Sequence, residues 1–437
     1  MRMEITVIGA GLAGVEAAHQ ITRMGGRAVL FEMRPGVGTP AHRTSLLAEL
    51  VCSNSLKSLD LHNAHGLLKE ELRGMGSVIM EAADGTAIPG GKALVVDRDR
   101  FAARVTEMTG NNPGIRLVRE EARRTPEEGI VIIATGPLTS DALSGELQKL
   151  TGEDSLSFFD AISPIVDAAS IDHHKAFHAS RYMKGEAGDY LNCPLTREEY
   201  DLFHEALVKA ERVDLREFEK TSYFEGCLPV EVLAERGKKT LAFGPMKPVG
   251  LTDPRDGKRP YAVVQLRKEN ASGTMLNLVG FQTKMKYPEQ DRVFRMIPAL
   301  KDAVFLRYGS IHRNTYINAP LCLNEKLELK ADRRILFAGQ ITGVEGYMES
   351  TAMGLAAGIS AFMSATGREF HPPPPSTCIG ALIRYLTTEN RNFQPMNMNF
   401  GLIEGYSKKN KEAAVETALQ EMEKWKNSYS HKNSFKF

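Results

Sequence analysis

The sequence predicts an α/β protein whose parallel, doubly wound dinucleotide-binding frame is cut in two by an inserted mixed α/β unit. Three observations predict this. A glycine-rich turn joins a strand to a helix at the start, in "ITVIGAGLAGVEAAHQITRMGGRAVLFEMR". A short apolar strand ending in Ala-Thr-Gly follows in "GIVIIATG", at 129–136. After a long intervening stretch, "RRILFAGQITGVEGYMESTAMGLAAGISA" at 333–361 supplies another strand, a glycine turn and a helix of small residues.

The first motif has defined parts. Residues 5–8 form a buried strand, and Gly9-Ala10-Gly11-Leu12-Ala13-Gly14 turns directly into a helix that ends near Met24, before Gly25-Gly26. A second strand, Arg27 to Phe31, ends at Glu32. Gly9 permits the tight turn, Gly11 lets backbone approach a pyrophosphate, and Gly14 lets helix and sheet close together. An acid at the end of the second strand is placed to hold ribose hydroxyls, so Glu32 is expected there. The two later segments turn the dinucleotide reading toward the FAD-binding fold of the glutathione-reductase type. In that fold Gly339-Gln340 stands at the flavin end, where many such proteins carry Gly-Asp. The frame is therefore expected at 1–170 and 326–437, with the insertion at 171–325.

Within the insertion, "FHASRYMK", "YAVVQLRKE" and "TMLNLVGFQ" read as strands. "TREEYDLFHEALVKAERV" reads as a helix opened by a capping box from Thr196 to Glu199. "HPPPPS" at 371–376 is a stiff, extended linker, and the tail "SKKNKEAAVETALQEMEKWKNSYSHKNSFKF" an amphipathic helix with a basic end.

Composition narrows the function. The chain has 437 residues, 42% hydrophobic and 25% charged, which is a soluble globular profile. No run approaches the roughly 18 apolar residues of a membrane span, and "MRMEITVIGAG" enters a structural strand without a signal peptide, so a cytoplasmic protein is expected. The five cysteines are at 52, 193, 227, 322 and 378, with no CxxC and no short Cys/His cluster. This spacing argues against a disulfide framework, a structural zinc site and a thioredoxin-reductase-like redox pair. The net charge of +1 shows no global nucleic-acid signature, but residues 235–270 hold nine Lys/Arg against four acids. That run reads either as a solvated loop or as a phosphate-binding surface.

"YFEGCLPVEVLAERG" places Cys227 just ahead of a helix, with Pro229 at its first position, Val230 to Arg236 as its body and Gly237 as its stop. A thiol there feels the positive end of the helix dipole, which favours the thiolate. A small buried hydrophobe is the other reading of such a residue.

Further strings carry a resemblance over nearly the whole chain: "TPAHRTSLLAELVCSNSLKS", "DYLNCPLTREEY", "YFEGCLPVEVLAERG", "FGPMKPVGL", "VGFQTKMKYPEQ", "RVFRMIPAL", "HRNTYINAP", "FAGQITGVEGYMES" and "FQPMNMNFGL". Together the chain resembles the bacterial folate- and flavin-dependent tRNA (uracil-5-)-methyltransferases. The resemblance implies methylation at C5 of the T-loop uridine (position 54) of tRNA. The carbon comes from 5,10-methylenetetrahydrofolate, FAD mediates the transfer, and NADPH or NADH is the reductant. No obligate protein partner is evident. A close branch of the family acts on ribosomal RNA, and a flavin oxidoreductase with a small-molecule substrate or a non-catalytic RNA- or FAD-binding protein would share much of the frame.

The resemblance places the nucleophile at Cys227 and the assisting cysteine at Cys52. The chemistry calls for both, because C5 of uracil becomes nucleophilic only after a thiolate adds at C6, and the C5 proton must then be removed. Cys52 follows the helical-looking run "LLAELV" and precedes Ser53-Asn54-Ser55, a polar turn expected to supply N–H and hydroxyl donors to a thiolate. His312 is the candidate for stacking on the pterin, with Arg313 beside it. Lys284 and Lys286 are candidates for RNA phosphates or folate carboxylates.

Overall fold

The computed structural model describes residues 4–39, 41–152, 156–181, 188–213, 228–390 and 393–430. Strand β1 (Glu4–Ile8) feeds helix α1 (Leu12–Arg23), which returns to strand β2 (Arg27–Phe31). β1 and β2 pair in parallel from Glu4↔Arg27 to Ile8↔Phe31. Ile5, Val7 and Leu30 are fully buried, as a parallel strand with both faces covered requires. The sheet is completed by Ile115–Val118 outside β2, Val131–Ile133 on the other side of β1, and Ile335–Phe337 at the far edge. The late strand thus joins the sheet started at the N-terminus, as the two separated halves of the frame require.

What locks the halves together is the late helix, Tyr347–Ala365, lying on α1. Its small residues allow the backbones to touch: a Cβ on Gly354 would meet the Ala13 carbonyl oxygen at 2.2 Å, and one on Gly358 would meet that of Ala17 at 2.6 Å. Any side chain at either position would push the helices apart.

Between the halves, a six-stranded sheet takes its strands from Ile165–Asp167 through Phe305–Arg307. Its central run, Ala262–Lys268, pairs antiparallel with Tyr190–Leu195 and with Met275–Leu278. The expected strands at 177, 262 and 275 and the helix Arg197–Val208 with its complete Thr196/Glu199 capping box are all present. This unit has its own apolar core around Phe203, Phe281 and Phe294, separate from the core of the dinucleotide frame. A two-stranded ladder, Leu156–Ile162 against Ser310–Tyr316, runs between the two. Past "HPPPPS" the chain adds the helices Cys378–Thr387 and Lys411–Ser430, and Trp425 and Tyr429 pack back on Phe370. None of the helices among the described residues is long and apolar enough to cross a membrane.

Candidate active site

Two connected cavities follow the frame. The first lies over the glycine turn and β2, lined by Gly9, Gly11, Glu32, Arg34 and Thr135. Gly9 has φ +103°, and a Cβ there would meet the Ala134 carbonyl oxygen at 2.5 Å. On Gly14 a Cβ would lie 1.7 Å from the Gly9 oxygen. Gly11 is different: nothing lies within 4 Å of its Cβ position. It is the N-cap of α1 and has no side-chain cap, so the helix start offers N–H groups to an anion. Ala10, Leu12 and Ala13 are buried beneath the turn. This geometry fits the pyrophosphate of a dinucleotide.

Glu32 lines the cavity, 5% exposed, but Arg34 already engages its carboxylate. Arg34 donates from its backbone N–H and Nε to Oε1 at 3.0 and 2.8 Å and from NH2 to Oε2 at 3.1 Å. Burial pushes the Glu32 carboxyl up, and the Arg34 contacts outweigh it, so the group is held below its usual range. One lone-pair direction on Oε2 remains for a ribose hydroxyl.

At the other end, Gly339 has φ +80°, with a Cβ position 2.7 Å from the Ala13 methyl. Gln340 turns its Nε2 to Glu345 Oε2 at 2.6 Å and lines the second cavity. That cavity, of about 230 Å³, shares Leu138 with the first and holds Cys52, Lys57, Gln282, Tyr347, Glu349 and Asn397 on its walls.

Cys52 is half-buried on this wall. The helix expected before it is absent: residues 46–51 hold only a turn at 47–48, with Ala48 at φ +50°. The reason is tertiary. Ala48 N–H bonds the Ala10 carbonyl at 3.0 Å, and Leu47 N–H bonds Thr106 Oγ1 at 2.8 Å, which tie the segment to the glycine turn and to the helix Arg98–Gly110 instead of letting it coil on itself. Two of the expected donors are spent elsewhere: the Ser53 N–H donates, with that of Cys52, to the Tyr347 hydroxyl at 3.2 and 2.9 Å, and the Ser55 N–H donates to Ser53 Oγ at 3.1 Å. Charge takes their place. Arg98, lowered by burial and raised chiefly by Glu269, and Arg307 both interact electrostatically with Cys52, which favours their charged forms. Arg307 is nonetheless lowered to about 10, first by burial and then by Arg98 and Arg43. Burial raises the Tyr347 hydroxyl, so it stays protonated at neutral pH.

Below Cys52, Lys57 adopts φ +65° and reaches Glu349 Oε1 at 3.4 Å and Asn397 Oδ1. Burial pushes the Glu349 carboxyl up, but Lys57 and His65 hold it at about 2, so this buried group is an anion. Such strain in a non-glycine residue at a cavity wall is a mark of a functional site. Sequence reasoning missed Arg98, Arg267, Arg307 and Tyr347, since they come from segments far apart in the chain, and Lys57, five residues after Cys52, because only the fold turns it onto Glu349.

Cys227 lies outside the described residues. Immediately after it, Pro229 is the N-cap of Val230–Glu235, one position earlier than expected, and Val230 N–H bonds the Gln282 carbonyl at 2.7 Å. Gln282 lines the second cavity, so the segment following Cys227 is anchored at that cavity's edge. His312 and Arg313 lie on the strand Ser310–Tyr316, opposite Asp160 and Phe159; Asn314 of that strand lines the cavity. Lys284 donates its backbone N–H to Glu231 at 2.8 Å, and Lys286 Nζ pairs with Glu211 at 2.9 Å on the surface. Cys193, Cys322 and Cys378 are buried, and burial pushes Cys193 up to about 12. Among the described residues no cluster of His, Cys, Asp or Glu could hold a metal ion.

A parallel frame with a glycine turn, closed by a late strand and opening on a chamber with a half-buried thiol, defines a flavoprotein of the FAD-binding Rossmann type. Comparison with known proteins agrees. The crystal structure of Aquifex aeolicus GidA (form II) superposes with a TM-score of 0.72 at 18% identity, covering 98% of this chain and 74% of that one, and shows the same fold. The profile of the family described as Glucose inhibited division protein A matches residues 4–369. Methylenetetrahydrofolate–tRNA-(uracil-5-)-methyltransferase TrmFO of Geobacter sulfurreducens is 57% identical over 427 residues, 96% of this chain and 98% of that protein. Its counterpart in Heliobacterium modesticaldum is 61% identical over 401 residues, 92% of this chain and 91% of that protein. The chain belongs to the methylenetetrahydrofolate–tRNA-(uracil-5-)-methyltransferases within that larger family.

Proposed function

We propose that this enzyme methylates C5 of the T-loop uridine of tRNA, using 5,10-methylenetetrahydrofolate, FAD and a nicotinamide reductant. The observation that carries it is the second cavity: Cys52, set among arginines, shares its wall with Gln282, the anchor of the segment that follows Cys227. FAD supplies the redox chemistry that turns a methylene unit into a methyl group. Gly11 and the start of α1 would hold its pyrophosphate, Glu32 a ribose, and Gly339 and Gln340 the flavin end.

The protein's own part is as follows. The Cys227 thiolate adds to C6 of the uracil, which moves the electron pair toward C5 and O4 and lets C5 attack the electrophilic carbon. Cys52, as thiolate, accepts the C5 proton, which lets the new carbon part from its carrier as a C5 methylene. Cys227 leaves C6 as the C5–C6 double bond re-forms when that methylene takes up the hydride equivalent that FAD would supply. A single thiol cannot do both, since the nucleophile is bonded to carbon when the proton must leave. His312 and Arg313 are proposed for the folate, and Lys284 and Lys286 for RNA phosphate or folate carboxylates. The inserted unit, 171–325, is proposed to carry the RNA-facing surface.

Transfer of label from methylenetetrahydrofolate into a T-loop transcript tests the reading. Cys227→Ala should abolish it while flavin reduction by NADPH continues. RNA bearing 5-fluorouridine should accumulate a covalent adduct at Cys227, and an RNA fragment attached to Cys52 instead reverses the two roles. Loss of 5-methyluridine from ribosomal RNA, but not tRNA, in a deletion strain moves the substrate to the ribosome.

A further inference from the structure

The turn that carries Cys52 is held from outside by polar groups that dinucleotide binding does not require. Arg98 donates from NH1 to the Leu50 carbonyl and from Nε to Glu269 Oε2 at 2.9 Å. Arg267 donates from NH2 to Ser53 Oγ at 2.8 Å and from Nε to Asn54 Oδ1 at 3.0 Å. The Asn54 amide in turn donates to the Val96 and Lys268 carbonyls, both at 2.9 Å. Asn54, Arg267 and Glu269 are 0%, 6% and 1% exposed. Arg267 and Lys268 end the strand Ala262–Lys268, and Glu269 follows directly, so one short piece of the inserted sheet grips both sides of Cys52.

Burying two guanidiniums and a carboxylate costs free energy that apolar contacts between the two lobes would not. What the arrangement delivers is direction: paired N–H donors fix a loop more narrowly than apolar packing does. The groups that interact with Cys52 come from four elements. Arg98 on the helix Arg98–Gly110 and Arg307 at the end of Phe305–Arg307 act on it electrostatically, the Tyr347 hydroxyl on the late helix accepts its N–H, and the Ala161 carbonyl lies 4.0 Å from its sulfur, with Lys57 and Glu349 on the same cavity wall.

We propose that Arg267, together with the Arg98–Glu269 pair, is a positioning residue for Cys52. Through it the inserted sheet holds the turn that carries Cys52, and with it the thiol at the cavity wall. This rests on Cys52 acting as the proton acceptor.

The test uses the full-length flavoprotein. In a Cys227→Ser background, the rate of iodoacetamide alkylation against pH reports Cys52, because the other three cysteines are buried. Arg267→Met should move the midpoint of that profile upward by about one unit. With Cys227 present, it should lower kcat for methyl transfer about 100-fold and leave KM for RNA nearly unchanged. Arg267→Lys, which retains one donor for Ser53, should recover part of both. If Arg267→Met does not fold, Ser53→Ala removes one of the two Arg267 contacts, along with the local bond from the Ser55 N–H at 3.1 Å, and should shift both quantities in the same direction by less. An unchanged alkylation profile and kcat, with only a lowered melting temperature, would reduce Arg267 to a staple between lobes and overturn the proposal. Full methyl transfer by Cys52→Ala, by contrast, would overturn the role of Cys52 itself.

Discussion

Cys52 and Cys378 sit in regions that invert the simplest expectation for a reactive thiol. Cys378 is the first residue of the helix Cys378–Thr387, the position at which a helix dipole favours a thiolate. Yet it is fully buried, and Glu71 occupies the helix start, accepting the N–H groups of Cys378 and Ile379 at 2.7 and 3.0 Å. Burial first, and then the Glu71 charge, push the Cys378 thiol far up. Cys52 has no helix behind it and its own and the Ser53 N–H are taken, but it is half-buried and interacts electrostatically with Arg98 and Arg307. Solvent access and the sign of the nearest full charge outweigh the partial charge of a helix end, which is worth only a fraction of a kcal/mol to about 2 kcal/mol.

Activity separates the two thiols most widely. Cys52→Ala should lower methyl transfer by about 10² to 10⁴, the contribution of a positioned base. Cys378→Ala should leave it within about twofold and cost about 1 kcal/mol of stability for a small cavity, read by denaturant unfolding. Comparable losses of activity from both would erase the contrast.

Reactivity should separate them next. At pH 8 in the folded protein, iodoacetamide should modify Cys52 at least about 100-fold faster than Cys378, since the thiolate is the reacting species and the second site is closed. Peptide mapping after short exposure measures this, and equal labelling would mean that the Glu71 site opens readily.

The smallest effect is on stability against pH. Burial raises the Glu71 carboxyl from 4.5 to about 7, with the two backbone N–H groups opposing. The fold therefore favours the protonated acid. Its contribution is complete below about pH 4.5 and is lost as pH rises to about 7, a change of roughly 3 kcal/mol. Glu71→Gln should be less stable throughout, because its amide nitrogen cannot accept an N–H, but its stability should fall less steeply over that range. A slope equal to that of the unsubstituted protein would mean that Glu71 ionises freely in the fold.

The same division runs through the whole molecule. The glycine turn, Glu32, the strands at 129 and 335 and the capping box at Thr196 were legible because each depends on neighbours within a few residues: a backbone angle, a close approach, a helix end. Even there, only the fold shows Arg34 seated on Glu32, although it lies two residues on, because its guanidinium is also held by Glu49 and the Thr44 carbonyl from a separate segment. The run before Cys52 was read as a helix and is not one, since hydrogen bonds to Ala10 and Thr106 override a helical pattern too short to stand alone.

By itself, then, the sequence determined the dinucleotide frame, its interruption by an insertion, and the family. Only the tertiary structure decided what surrounds Cys52. Arg98, Arg267, Arg307 and Tyr347 are distributed over about 250 residues of chain and come together around the Cys52 segment only when the inserted sheet docks on the frame. A thiol's charge depends on what lies within a few ångströms in space, and no local pattern records that.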